Sequence, residues 1–186
     1  LVHLAAETGG LAFLQYVYEI HESSLTSTDE DGWTAAHRAA WAGQLHVLEW
    51  LHDTFGGSIL LAQTDDNWGL AHAAAENNKC RVLEWLKTMD MDMQVVDMFG
   101  WTPAHAAAQH PHMDVLKCLA KQLGVPKSLV MKNRDGDTPI EMVLNQGTWN
   151  DLRDLLNEIG GVYMPLDAEG SNIDCAEIAA LRMLKK

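Results

Sequence analysis

A short residue pattern recurs about every 34 residues in this chain, and this repeat constrains the fold more than any other feature. Copies of a turn followed by a helix start begin at Asp31, Asp66, Phe99 and Asp135. A block rich in Val and Leu follows each of them, as in VLEWL at 47–51. A fixed period of this length predicts a stack of similar helical units, each contacting only its neighbours.

The register of the copies can be followed through one histidine position. His37, His72 and His105 are equivalent, His3 lies one period earlier, and Glu141 takes the same place in the last copy. The pattern predicts about five helix-pair repeats in a solenoid over 1–163, followed by a loop and helix over 164–186. The predicted repeats are about 1–28, 29–64, 65–96, 97–132 and 133–163.

The third full copy illustrates why each unit should fold into two helices. Gly100 can adopt the left-handed turn conformation, and Thr102 can cap a helix that begins at Pro103. We expect this first helix to end near Gln109 and a second, with an apolar stripe, to run over about 112–123.

The turn and the connector before it recur as well. Asn67 replaces glycine at one turn, and asparagine is the next best residue for left-handed backbone. One apolar residue lies seven positions before each turn position and is expected to be buried beneath the turn: Leu25, Leu60, Met93 and Leu129.

These blocks resemble ankyrin repeats, whose signature is T-P-L-H-x-A after a turn glycine. The segment 102–105 matches three of the first four positions, 34–37 and 138–141 match two each, and 69–72 keeps only the histidine. The resemblance covers about residues 1–160. It implies an all-α, right-handed solenoid with short hairpin-like fingers, whose repeat histidines hydrogen-bond to neighbouring turns.

The same resemblance implies partner binding on a concave face formed by fingers and first helices, without catalysis. The sequence also lacks a Walker loop, a nucleophile elbow and a dinucleotide fingerprint, so no cofactor is expected. Beyond Gly160 and Gly161 the repeat stops. A C-terminal capping helix is expected there, which either covers the end of the stack or docks on a partner.

The charge is strongly negative and uneven. The net charge is −13, and residues 1–78 contain eleven acids against one base, Arg38. An acidic half disfavours nucleic acid and anionic membranes and favours a basic protein partner by electrostatic steering. The alternative is an acidic surface that serves solubility alone. The longest apolar run is too short for membrane insertion.

Tryptophans directly after the turns are the candidate binding residues. Aromatic anchors surrounded by polar groups are typical of interface hot spots. The alternative is a ladder that only packs finger against finger. The predicted partner-binding set comprises Trp33, Trp41, Trp68, Trp101, Met98 and Phe99 as apolar anchors, with Glu30, Asp31, Asp65, Asp66 and Glu76 as charges.

Cysteine and histidine usage favours no metal site. Cys80, Cys118 and Cys175 form an odd set without paired spacing, which favours buried reduced thiols in a reducing, cytoplasmic compartment. The chain starts inside a repeat, so it is expected to be a fragment, and organellar targeting stays open. His110 and His112 are expected to be structural or incidental, because no closed tetrahedral pattern surrounds them.

The sequence therefore predicts a non-catalytic protein–protein interaction module that binds a basic or basic-aromatic segment. The alternative is a structural accessory subunit or domain fixed within a larger multi-protein assembly.

Overall fold

Five helix pairs follow one another in a computed structural model that describes residues 1–122 and 126–158. Over these ranges there is no β-strand, only an isolated antiparallel bridge between Gln63 and Gly69. The helices are α1 (Val2–Thr8), α2 (Leu11–His21), α3 (Ala35–Ala42), α4 (Leu45–Phe55), α5 (Leu70–Glu76), α6 (Cys80–Thr88), α7 (Pro103–Gln109), α8 (Met113–Lys117), α9 (Pro139–Asn145) and α10 (Trp149–Glu158).

The first helices of successive pairs form one continuous layer. α1 contacts α3, α3 contacts α5, α5 contacts α7, and α7 contacts α9. Small side chains make this close approach possible, since Ala36, Ala74 and Ala107 are fully buried. The predicted all-α solenoid of stacked helix pairs is confirmed.

The second helices supply the larger apolar side chains of the core. In α4 the residues Leu48 and Leu51 are completely buried, as are Leu83 and Leu86 in α6. These leucines fill the volume that the alanine-rich first helices leave. Trp50 also packs against the core, with its ring 6.1 Å from that of Tyr18 in an edge-on arrangement.

The fingers are tight turns built in the same way in four copies. In the fourth repeat, the N–H of Gly100 donates to the carbonyl of Asp97, and the N–H of Asp97 donates to the carbonyl of Trp101. Gly100 has φ 77° and Asn67 has φ 62°, so the asparagine replaces glycine in the expected left-handed conformation.

The apolar connector residues lie beneath these turns. Leu25, Leu60, Met93 and Leu129 are between 0% and 3% exposed, so the prediction that one apolar side chain is buried before each turn is confirmed. Their burial attaches each finger to the helical core.

Two predicted segments differ from the structure or lie outside it. The second helix of the fourth repeat is interrupted, because α8 ends at Lys117 and a π-helical segment follows over Cys118–Gln122. The predicted C-terminal loop and capping helix over 164–186 lie outside the described residues. The repeat boundaries remain a prediction.

The prediction that Cys80 and Cys118 are reduced thiols is wrong for this structure, which joins them in a disulfide. Their sequence separation is 38 residues, close to one repeat. Residues about one repeat apart become neighbours when the units stack, so this pairing needs none of the short spacings of a local cysteine motif. The predicted reducing compartment rested on reduced thiols, so the disulfide removes its support. The compartment stays an untested prediction.

Candidate partner-binding groove

A ladder of three buried histidines connects the second, third and fourth repeats each to the finger of the next. The Nε2 atom of His37 lies 3.0 Å from the carbonyl oxygen of Trp68. The corresponding distance is 2.9 Å from His72 to Trp101 and 3.1 Å from His105 to Asp137. The expectation that repeat histidines bond to neighbouring turns is confirmed, and the first two of these bonds attach the turns that carry Trp68 and Trp101 to the preceding repeats.

Each ladder histidine is held in one neutral tautomer. The backbone N–H of Thr34 donates to Nδ1 of His37, so the ring proton must reside on Nε2, which donates to the carbonyl of Trp68. Burial lowers the pKa of His37 to about 4, although the hydrogen bond to Trp68 acts in the opposite direction. Burial also lowers the pKa values of His72 and His105.

A groove of about 350 Å³ lies between the fingers and the ends of two first helices. We call it the finger groove. Its walls come from three successive repeats, and it combines aromatic rings with carboxylates. Its lining residues are Asp31, Trp33, Thr64, Asp66, Trp68, Glu76, Asp97, Phe99, Trp101 and Gln109.

The finger groove brings together seven of the eleven residues predicted to bind a partner. Three are the post-turn tryptophans and one is Phe99, which is 50% exposed and therefore available for contact. The other three are carboxylates. The seven are Trp33, Trp68, Trp101, Phe99, Asp31, Asp66 and Glu76.

The other four predicted residues do not line the finger groove. Glu30 and Asp65 are exposed on the turns, and Met98 is 38% exposed beside Phe99. Trp41 packs against the hydrophobic core, and its carbonyl accepts a hydrogen bond from the side chain of Asn77.

Three lining residues were absent from the predicted set, and two of them have a sequence signal. Thr64 and Asp97 each lie eight residues before a ladder histidine, as Asp29 does. This position accepts the backbone N–H of the post-turn tryptophan, at 3.1 Å for Thr64 and 2.7 Å for Asp97. Gln109, at the end of α7, is the third.

Acidic side chains predominate in the finger groove, although Arg38, which is not a lining residue, forms an ion pair with one of them, Asp31. Asp31, Asp66, Asp97 and Glu76 contribute carboxylates, and no lysine or arginine is among the lining residues. Burial raises the pKa of Glu76, although the charge of His110 acts in the opposite direction, so burial destabilises the ionised form of this carboxyl. A positively charged group entering the groove would relieve this cost.

The second repeat already contains a cation bound to its tryptophan. The guanidinium carbon of Arg38 lies 4.8 Å from the ring centroid of Trp33. The same side chain donates to Asp29 from Nε at 2.8 Å and from Nη2 at 2.6 Å, and Nη2 also donates to Asp31 at 3.1 Å. Burial acts to raise the pKa of Asp29, but the Arg38 contact and backbone N–H donors lower it overall.

Trp68 differs from the other two groove tryptophans. Its ring is stacked on His72 with centroids 4.8 Å apart, whereas Trp33 and Trp101 are tilted against their histidines at 5.9 Å and 6.1 Å. Its Nε1 atom is the only side-chain nitrogen or oxygen within the described ranges that is both sealed from solvent and without a hydrogen-bond partner. An unsatisfied buried donor costs about 1–3 kcal/mol.

A cluster of candidate metal ligands lies outside the finger groove. Among the residues that the structure covers, the candidate ligand set is Cys80, Glu84 and Cys118, whose ligand atoms lie within 4.8 Å of one another. The two sulfur atoms are joined in the disulfide, and a thiolate is the form that binds metal.

None of the helices in 1–122 and 126–158 combines the length and apolar character that a membrane span requires.

The stacked helix pairs and their fingers define a repeat solenoid with a surface groove between its projecting turns. Comparison with family models agrees: a model of three ankyrin repeats matches residues 70–160, and a model of multiple ankyrin repeats matches residues 2–52. The chain belongs to the ankyrin repeat family. Ankyrin repeat proteins are generally non-catalytic modules that mediate protein–protein interaction. A search of curated proteins finds no significant match to the chain.

Proposed function

We propose that the protein is a non-catalytic interaction module that binds a basic or basic-aromatic segment of a partner protein in the finger groove. The observation that carries this proposal is the composition of that groove. Three tryptophans from consecutive repeats are combined with four carboxylates, and no basic side chain is among the lining residues. One of the carboxylates, Asp31, is paired with Arg38, and the other three are Asp66, Glu76 and Asp97.

Aromatic and acidic groups are complementary to such a segment in different ways. The tryptophan faces offer apolar area and attract cations through the ring quadrupole. The carboxylates provide steering, so they act mainly on the association rate and on its dependence on salt. Asp31 and Asp66 are exposed on neighbouring turns, where an approaching chain would meet them first.

The test uses a charge-removing pair in the groove and a matched pair elsewhere. Asp66→Asn with Glu76→Gln removes two groove charges, whereas Glu49→Gln with Asp53→Asn removes two exposed charges from α4. Partners are captured by affinity purification with cross-linking, and association rates are then measured with a captured partner at roughly 50 mM and 300 mM salt.

We expect the groove pair to slow association and to weaken its salt dependence, while the α4 pair behaves as wild type. The opposite outcome, in which both pairs associate like wild type, would exclude the finger groove as the binding surface.

A second candidate function is a domain fixed within a larger assembly, and one observation favours it. The first helix pair leaves large apolar side chains in contact with solvent, among them Leu4 at 58%, Tyr16 at 58% and Ile20 at 55% exposure. Sedimentation of the isolated chain separates the candidates. A monomer at micromolar concentration contradicts the assembly function, whereas self-association that Tyr16→Ser abolishes supports it.

A further inference from the structure

We propose that an arginine side chain of the partner occupies, beside Trp101, the place that the chain's own Arg38 occupies beside Trp33. This inference rests on the proposed function and specifies which partner group the finger groove recognises and where.

The second and fourth repeats share the parts of a guanidinium site. Counted from the ladder histidine, Asp97 is equivalent to Asp29, and Trp101 is equivalent to Trp33. Each of these aspartates uses Oδ1 to accept the N–H of its tryptophan, at 2.9 Å for Asp29 and 2.7 Å for Asp97. The two ring systems also take similar positions, tilted by 46° and 39° against their histidines.

In the described part of the fourth repeat, no cation takes the place of Arg38. Arg38 directly follows the ladder histidine of the second repeat, and the equivalent residue in the fourth is Ala106. Oδ2 of Asp29 binds the Arg38 guanidinium, but no hydrogen bond reaches Oδ2 of Asp97 from the part of the chain that the structure describes.

Asp97 is a nearly buried carboxylate to which no cation donates within the described residues. It is 6% exposed, yet it lines the finger groove. Its Oδ2 atom is not sealed, because the one sealed and unsatisfied side-chain atom among the described residues is Trp68 Nε1. A group entering the groove can therefore reach Oδ2, and a nearly buried carboxylate gains more from a cation than an exposed one does.

The residues around this position favour a guanidinium over an ammonium. Phe99 takes the place of Asp31, so the second carboxylate that binds Arg38 is replaced by an aromatic ring. A planar guanidinium can stack on aromatic faces while it donates in its plane to Asp97, which a compact ammonium cannot do. Asp66 and Glu76 add negative potential from the same groove.

The test compares nona-arginine with nona-lysine by calorimetry on the whole chain. Asp97→Asn keeps the Oδ1 acceptor for the turn but removes the charge, and Asp29→Asn makes the same change in the repeat that already contains its cation. We expect wild type to bind nona-arginine about tenfold more tightly than nona-lysine, and Asp97→Asn to weaken nona-arginine binding about tenfold. Asp29→Asn should change it less than about twofold.

A third variant supplies the missing cation from within the chain. Ala106→Arg copies the second repeat, and we expect it to weaken nona-arginine binding about tenfold by occupying the position itself. Ala106 is fully buried, so circular dichroism must show that this variant folds. If it does not, the two asparagine variants decide the question.

The proposal is overturned if Asp97→Asn binds nona-arginine like wild type, if Asp29→Asn loses as much as Asp97→Asn, or if nona-lysine binds equally well. Loss of binding in the Asp66→Asn and Glu76→Gln pair, with retention in Asp97→Asn, would leave the proposed function standing without this inference. Unchanged binding in both would reject the two together.

Discussion

The buried histidine ladder predicts that the fold loses stability in weak acid, and His37 allows the size of the effect to be worked out. Its pKa is about 4 in the folded protein against an ordinary value of 6.5. Each pKa unit corresponds to about 1.4 kcal/mol, so the shift of His37 lowers the free energy of unfolding by about 3 kcal/mol once the pH is low enough to protonate this residue in both states.

The direction of the effect follows from which state binds the proton first. Because the pKa of His37 is lowered by folding, the unfolded chain takes up a proton at a higher pH than the folded chain does. The stability that the neutral His37 contributes is therefore fully present above about pH 6.5. It is lost as the pH falls from about 6.5 to about 4, and below about pH 4 it changes no further. At about pH 5 the loss from this residue alone is about 2 kcal/mol.

The chemical reason lies in the two ring nitrogens. Protonation of Nδ1 would turn the acceptor of the Thr34 N–H into a donor, so the capping interaction and the cation's burial would both become unfavourable. His37→Gln removes the titration. A glutamine at this helix position can still reach back to the N-cap N–H, as Glu141 does in the last repeat, where its Oε2 accepts from the Thr138 N–H at 3.1 Å.

The assay is urea unfolding followed by far-UV circular dichroism from about pH 7.5 to about pH 5, for wild type and His37→Gln side by side. The variant serves as the control for all other titrating groups. We expect the wild-type free energy of unfolding to fall by about 2 kcal/mol more than that of the variant. Parallel pH profiles for the two proteins, or a His37 pKa near 6.5 by NMR, would refute the reasoning.

Three further predictions concern stability and are tested by the same urea unfolding. Cys118→Ser should cost about 4 kcal/mol, because the disulfide closes a loop with a separation of 38 residues, and equal stability with and without reductant would contradict this. Gly100→Ala should lower the free energy of unfolding more than Gly136→Ala does. Both glycines have positive φ, but only at Gly100 would the new Cβ lie 3.1 Å from the backbone nitrogen of Arg134. A larger loss for Gly136→Ala would refute the contact argument. Leu48→Ala should cost about 3 kcal/mol and Leu61→Ala, at 67% exposure, less than about 1 kcal/mol, with similar losses counting against the assigned core.

Much of the fold could be predicted because each repeat repeats its own local chemistry. The turn position, the capping threonine and the histidine recur at fixed spacing, with Gly69 in place of the threonine in one copy and Glu141 in place of the histidine in another. The sequence therefore indicates the structural roles of Gly100, Thr102 and His105. The connector residue Met93 follows from the same register. Local signals of this kind do not depend on how far one repeat lies from the next.

The disulfide could not be predicted, because its formation depends on the displacement between neighbouring helix pairs. Cys80 begins α6, whereas Cys118 directly follows α8, so the two are not equivalent positions of the repeat. Which non-equivalent positions meet is decided by the rise and rotation from one unit to the next. No local pattern in the chain records that geometry.

The candidate groove was predicted in part for a related reason. Trp41 is equivalent to Glu76 and Gln109 in the next two repeats, which both line the groove. The ring of Trp41, however, packs on the core. Asp97 was missed because a turn aspartate is normally explained by its bonds to the backbone. Its exceptional feature, near-complete burial with one carboxylate oxygen left without a hydrogen bond from the described residues, appears only after the chain has folded.

The disulfide has a consequence for how the stack comes apart. Solenoids unfold as one-dimensional arrays, in which the boundary between ordered and disordered units can stop at any interface. The Cys80–Cys118 bond links the third unit to the fourth, so we expect these two to unfold as one block, with fraying concentrated in the units on either side. Trp68 and Trp101 lie in this block, and their spacing should persist while the ends of the array open and close.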